Sequence, residues 1–125
     1  MRIAMSPEIK DGICFVRPRG ECNLAEAVDL ITRAIAYCRI RGLPKLFVDG
    51  TGLTGISIPT LVDRFLAAEE WAQEGKGAVT MVLFVEPKYI HPEKFGVQVA
   101  THFGLTANVF PDEKEALTWL SGVTH

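Results

Sequence analysis

The chain has 125 residues, 48% hydrophobic and 22% charged, with a formal net charge of −2. That length suits one domain able to bury roughly two-thirds of its unfolded surface without disulfide or metal staples, and the composition excludes a disordered chain. The small net charge argues against a nucleic-acid-binding surface.

The N-terminal MRIAMSPEIK has no apolar core of signal-peptide length. The longest apolar run, residues 78–85, is too short to span a bilayer. A cytoplasmic protein that does not span a membrane is therefore expected. The cysteines Cys14, Cys22 and Cys38 are odd in number and form no CxxC pair, so neither a disulfide framework nor a zinc site is indicated. They read as small buried residues. Arg17, Arg19, Arg39 and Arg41 read as solvated ends of a strand and a helix.

Residues 1–9 predict a first strand, Lys10-Asp11-Gly12 a turn, and residues 13–16 a second strand closing a hairpin. Residues 23–41 predict the clearest helix. Asn23 and Glu26 have capping-box spacing, and Leu24, Ala27, Val28, Ile31, Ile35 and Cys38 recur on one face. Gly42 and Pro44 end it. Residues 45–49 form a short buried strand. Ser57 can cap the next helix, with Pro59 in its first turn. Leu61, Val62, Phe65, Leu66 and Ala72 are its expected inner stripe; Trp71 lies off that stripe, and Glu69, Glu70 and Glu74 form a solvated face.

Residues 78–85 are apolar on both alternating sets of positions, which predicts a central parallel strand covered on both faces. A third helix is expected from about Pro92, capped by His91, with Phe95, Val99 and Phe103 on one face. Residues 106–110 form the last strand. Residues 111–121 form the closing helix, with Asp112 and Glu115 as a capping pair. Phe65, Phe84, Phe95 and Phe103 are candidates for the core. The order ββαβαβαβα predicts a single α/β domain over residues 1–125, with a mostly parallel sheet behind an opening hairpin.

The loop after the third strand carries Gly50-Thr51-Gly52-Leu53-Thr54-Gly55, which matches G-x-G-x-x-G. A dinucleotide site needs a helix to begin inside that motif. Pro59 would then fall in helix interior, at a cost of about 3 kcal/mol. The acidic ribose partner should end a second parallel strand, whereas Glu69 and Glu70 fall on a helix. No Gly-Lys-Ser/Thr is present, so a P-loop is excluded.

The run 20–61 resembles the STAS family, shared by sulfate-transporter tails and bacterial anti-sigma-factor antagonists. Gly20 ends a strand, Glu21-Cys22-Asn23 follows, a helix comes next, and an apolar strand closes on Asp49. Asp49, Thr51, Leu53, Ile56 and Leu61 are similar to the family's positions up to the next helix. The terminal Ala116-Leu117-Thr118-Trp119-Leu120 resembles the SpoIIAA-like branch. The resemblance implies a SpoIIAA-like fold and a non-enzymatic regulatory role. It also places the family's phosphorylatable serine at Ile58 or Pro59, neither of which can accept a phosphate. Here Ser57-Ile58-Pro59-Thr60 stands where the family has Asp-Ser-Ser-Gly.

No Ser-His-Asp, Cys-His or metal-ligand spacing is present, and no cofactor is expected. Lys88-Tyr89-Ile90-His91-Pro92 follows the central strand and should flank the 51–60 loop, because both leave the same end of the sheet. Asp49, Thr51, Ser57, Ile58, Thr60, Tyr89 and His91 are the candidate partner- or ligand-binding residues. The expected function is a regulatory module presenting the 51–60 loop and following helix to a protein partner. The alternative is a carrier of a small molecule or lipid, with an apolar pocket between the 51–60 and 86–95 loops. An enzymatic cluster of Asp49, Thr51, Ser57 and His91 is a third. The edge of the opening hairpin could also pair with a second copy as a homodimer.

Overall fold

The computed structural model describes residues 4–123. A five-stranded sheet has the order β1-β2-β4-β6-β7, built from β1 (Glu8–Lys10), β2 (Ile13–Val16), β4 (Lys45–Asp49), β6 (Thr80–Phe84) and β7 (Ala107–Phe110). Only β1–β2 is antiparallel; the other pairings are parallel. Asp11 and Gly12, at φ 52° and 77°, make the tight hairpin turn. The first three residues of the predicted opening strand lie outside the described residues. Of the remainder, only Ala4 bridges, to Arg19, before β1 begins. Two elements are additional to the predicted order. They are β3 (Gly20–Glu21) and β5 (Leu53–Thr54), which pair in parallel as a small second sheet.

Helices α1 (Leu24–Ile40), α2 (Leu61–Gly75) and α3 (Phe95–His102) cover one face of the large sheet, and α4 (Glu113–Gly122) covers the other. The α1 capping box is formed as predicted, with Asn23 Oδ1 accepting from the Glu26 N–H at 2.8 Å and Glu26 Oε1 from the Asn23 N–H at 3.0 Å. The main core joins Cys14, Val16, Ile35, Leu46, Val48 and Met81 beneath α1 to α3. A smaller core joins Ile13, Phe47 and Val82 to Ala116 and Leu120 of α4. Strand β6 therefore has both faces covered, Met81 on one side and Val82 on the other, as its unbroken apolar run requires.

Helix α2 departs most from expectation. The predicted inner stripe points to solvent: Leu61 is 53% exposed, Val62 66%, Phe65 39% and Leu66 55%. The buried side carries Ala67, Ala68, Ala72 and Gly75. The small residues face inward between α1 and α3, the two helices that α2 packs against. Trp71 lies on this inner side. It is half-buried against the main core and donates its indole N–H to the Val28 carbonyl at 3.2 Å. The acidic face is not simply solvated either. Glu70 accepts from Thr32, and Glu74 pairs with Arg39 at 2.7 Å, which ties α2 to α1. Phe95 and Phe84 pack against the two cores, whereas Phe65 and Phe103 are both 39% exposed.

Candidate functional site

The C-terminal ends of β4 and β6 release the two loops that the sequence brings together. The glycine loop is a packed structural turn. A Cβ on Gly52 would lie 2.8 Å from the Pro18 carbonyl oxygen. Gly55 has φ 85°, and a Cβ there would lie 3.1 Å from the Cys22 carbonyl oxygen. These glycines let the loop press against residues 18–22, where β5 pairs with β3. No helix starts inside the motif, since α2 begins only at Leu61.

The N-cap of α2 is Thr60, not Ser57. Thr60 Oγ1 accepts from the Asp63 N–H at 3.1 Å, and Asp63 Oδ2 accepts from the Thr60 N–H at 2.9 Å. Thr60 wins because it has the acidic residue three positions on that a reciprocal box needs. Pro59 therefore precedes the cap and lies outside the helix. Ser57 and Ile58 are exposed on the lead-in, Ile58 at 52%.

Asp49 turns away from these residues. Its Oδ1 accepts from the Thr51 N–H at 2.9 Å and the Thr51 hydroxyl at 2.6 Å, and its Oδ2 accepts from Arg17 at 2.9 Å. The same Arg17 nitrogen reaches Glu113 of α4 at 2.7 Å. Asp49 thus shares the sheet face of Phe47 and α4. Arg17 is a bridging group here, not a solvated strand end. Asp49 is engaged by Thr51 and Arg17, whereas Tyr89 and His91 line the cavity on the side of the sheet covered by α1 to α3.

Tyr89 closes a 3₁₀ turn, Pro87–Tyr89, absent from the predicted elements. Its hydroxyl donates to the Ile56 carbonyl at 3.0 Å, and its own carbonyl accepts from Arg64 of α2 at 2.9 Å. The expected proximity of the two loops is thereby realised as a hydrogen bond. His91 Nδ1 accepts from the Glu93 N–H at 3.1 Å, and the ring lies 6.1 Å from that of Phe95. It does not cap α3, which starts only after Lys94 in a left-handed conformation (φ 50°). Among the described residues, no three His, Cys, Asp or Glu side chains gather as a metal site, and no helix is long and apolar enough to cross a membrane.

Two surfaces sit at this end of the molecule. Outside, Leu61, Val62, Phe65 and Leu66 form an exposed apolar face on α2. Phe103 abuts it, with its ring 5.7 Å from Phe65 and edge-on to it. Inside, a cavity of about 180 Å³ lies between α1, α2, α3 and the sheet. Ile56, Pro59, Tyr89 and His91 line it from the two loops, and Trp71 and Met81 from the helix and sheet. The outer face was missed because its residues read as core. The cavity had a weak sequence signal, the alanines at the buried positions of α2.

Comparison with solved structures places the fold. An anti-sigma factor antagonist from Mycobacterium paratuberculosis superposes with a TM-score of 0.60 at 18% identity, covering 95% of this chain and 94% of that one. SpoIIAA in its unphosphorylated form gives 0.51 at 17% identity, covering 96% and 100%. An uncharacterized DUF3478-family protein with a SpoIIAA-like fold, from Shewanella loihica PV-4, gives 0.50 at 18% identity, covering 94% and 93%. The chain has a SpoIIAA-like fold. No protein-family model matches the sequence, and no curated protein matches it.

Proposed function

We propose that this chain is a non-enzymatic regulatory module that captures a protein partner with the outer face of α2 and the 51–60 segment leading into it. The observation that carries the reading is the exposed apolar face of Leu61, Val62, Phe65 and Leu66, flanked by Ile58 and Phe103. Grouped apolar exposure of this kind marks interaction surfaces in soluble proteins. The fold shared with anti-sigma factor antagonists supports a protein partner. Ile58 and Pro59, at the position the resemblance aligns with the family's serine, carry no hydroxyl, so the module does not use a serine at that position.

The test is recovery of partners on immobilised protein, comparing wild type with Ile58→Asp and Leu66→Glu. Both sites are exposed, so the variants should keep the wild-type unfolding midpoint while losing the captured species. Equal recovery by wild type and both variants sinks the reading.

A second reading, a carrier of a small apolar molecule, is favoured by the cavity beneath α2. It occupies the position expected for ligands in a parallel α/β sheet, near the carboxyl ends of the strands.

A further inference from the structure

We propose that the cavity beneath α2 binds a small uncharged apolar molecule of about six to eight carbon atoms, such as a monocyclic aromatic hydrocarbon. The proposal rests on the carrier reading and narrows it to one ligand class.

Size sets the first limit. The cavity measures about 180 Å³, and an apolar cavity of about 150 Å³ in another protein stays dry and takes up benzene. A cavity slightly larger than one that takes benzene suits a slightly larger monocyclic hydrocarbon. Small side chains on four separate elements create the space: Ala27 of α1, Ala67 and Ala68 of α2, Gly96 and Ala100 of α3, and Ala107 of β7. Gly96 is not dictated by backbone geometry, since a Cβ there would meet nothing closer than Arg64 Cβ at 4.0 Å. The site is partly open to solvent, and its apolar lining, left unfilled, forfeits packing contacts. A ligand restores them.

Polarity sets the second limit. Each charged side chain at the rim is already engaged. Arg64 donates to the Tyr89 carbonyl, Lys94 donates to Asn108 at 2.7 Å, and Asp63 accepts from the Thr60 N–H. Among the described residues no buried side-chain nitrogen or oxygen lacks a partner. A charged ligand would surrender its hydration and have to compete with these existing partners. An ordered water would likewise need two to four polar partners.

Thermal unfolding of the full chain tests this with three probes: toluene, hexanoate and a sixteen-carbon fatty acid. Toluene near saturation should raise the midpoint by about 3 °C or more, and the other two should leave it unchanged. In methyl NMR spectra, toluene should move Met81, Leu83 and Val97, which line the cavity, and leave Val82 and Leu120 under α4 in place. Two fillers, Ala68→Leu and separately Ala107→Val, should abolish the toluene response. If a filler fails to fold, the wild-type methyl pattern decides. A response to none of the probes overturns both this proposal and the carrier reading. A response to hexanoate or the fatty acid without one to toluene overturns this ligand class and leaves a carrier.

Discussion

The Tyr89 hydroxyl donates to the Ile56 carbonyl at 3.0 Å, joining the loops that leave β4 and β6. Through its own carbonyl, bonded to Arg64, Tyr89 also holds α2. Tyr89→Phe keeps the ring but leaves the Ile56 carbonyl without that donor. The expected loss is about 1 kcal/mol, read by denaturant unfolding. Amide exchange should quicken over residues 53–58 and stay unchanged in β6.

Thr60 and Ser57 make a matched pair of tests for where α2 begins. Thr60→Ala removes the capping box and should cost about 1 kcal/mol, whereas Ser57→Ala should be neutral. Equal effects in equilibrium unfolding would contradict the assigned cap. The same geometry makes Thr60→Glu a poor probe of partner binding, because it would damage the helix start as well as the surface.

The reversed amphipathicity of α2 gives a second contrast. Leu66→Ser, at a position 55% exposed, should change stability by no more than about 0.5 kcal/mol. Ala72→Leu, at a position 7% exposed, should cost about 1–3 kcal/mol through overpacking. A helix with Leu66 inside would show the opposite order in thermal unfolding.

Gly52→Ala tests whether the glycine loop is a packing device. The added methyl would meet the Pro18 carbonyl at 2.8 Å. A loss of about 1–3 kcal/mol is expected, with enhanced exchange of the Cys22 and Gly20 amides. These two donate to Thr54 and Gly52 across the small sheet.

The cysteines should be inert in the folded protein. Cys14 and Cys38 are fully buried and Cys22 is 5% exposed. Burial, aided by Glu26, pushes the Cys22 thiol up; the hydrogen bond between Cys14 and Cys38 pushes Cys38 up and Cys14 down, so Cys14 is shielded by its burial alone. Thiolate is the reactive form. Ellman's reagent should therefore label none of the three until the chain unfolds, and rapid labelling of the native protein would contradict the packing.

The frame of the fold was legible where local chemistry and burial agree. Asn23 and Glu26 announce α1, Asp11-Gly12 the hairpin turn, and the unbroken apolar run of β6 its double cover. The outcome for α2 differs because two stripes satisfy the helical period, 61/62/65/66 and 64/67/68/71. Periodicity favours the bulkier one, and only the contacts of α2 with α1 and α3 select the smaller. Strands β3 and β5, two residues each, are too short to leave a pattern. At the candidate site, the meeting of Tyr89 with the 51–60 loop followed from parallel strand polarity. Asp49 was misplaced because strand alternation sends it to the α4 face. An apolar pocket between the 51–60 and 86–95 loops was expected, but not its extent under α2, because that volume is contributed by residues far apart in the chain.

Helix α2 is a thin partition. Its alanine side borders the hollow and its leucine and phenylalanine side meets the outside, so the width of one helix separates the two proposed binding surfaces. If filling the hollow displaces α2, the free energy of one event enters the other. Reciprocity then requires the outer contact to change the hollow's affinity by the same factor. Such a lever would be worked by volume rather than by charge.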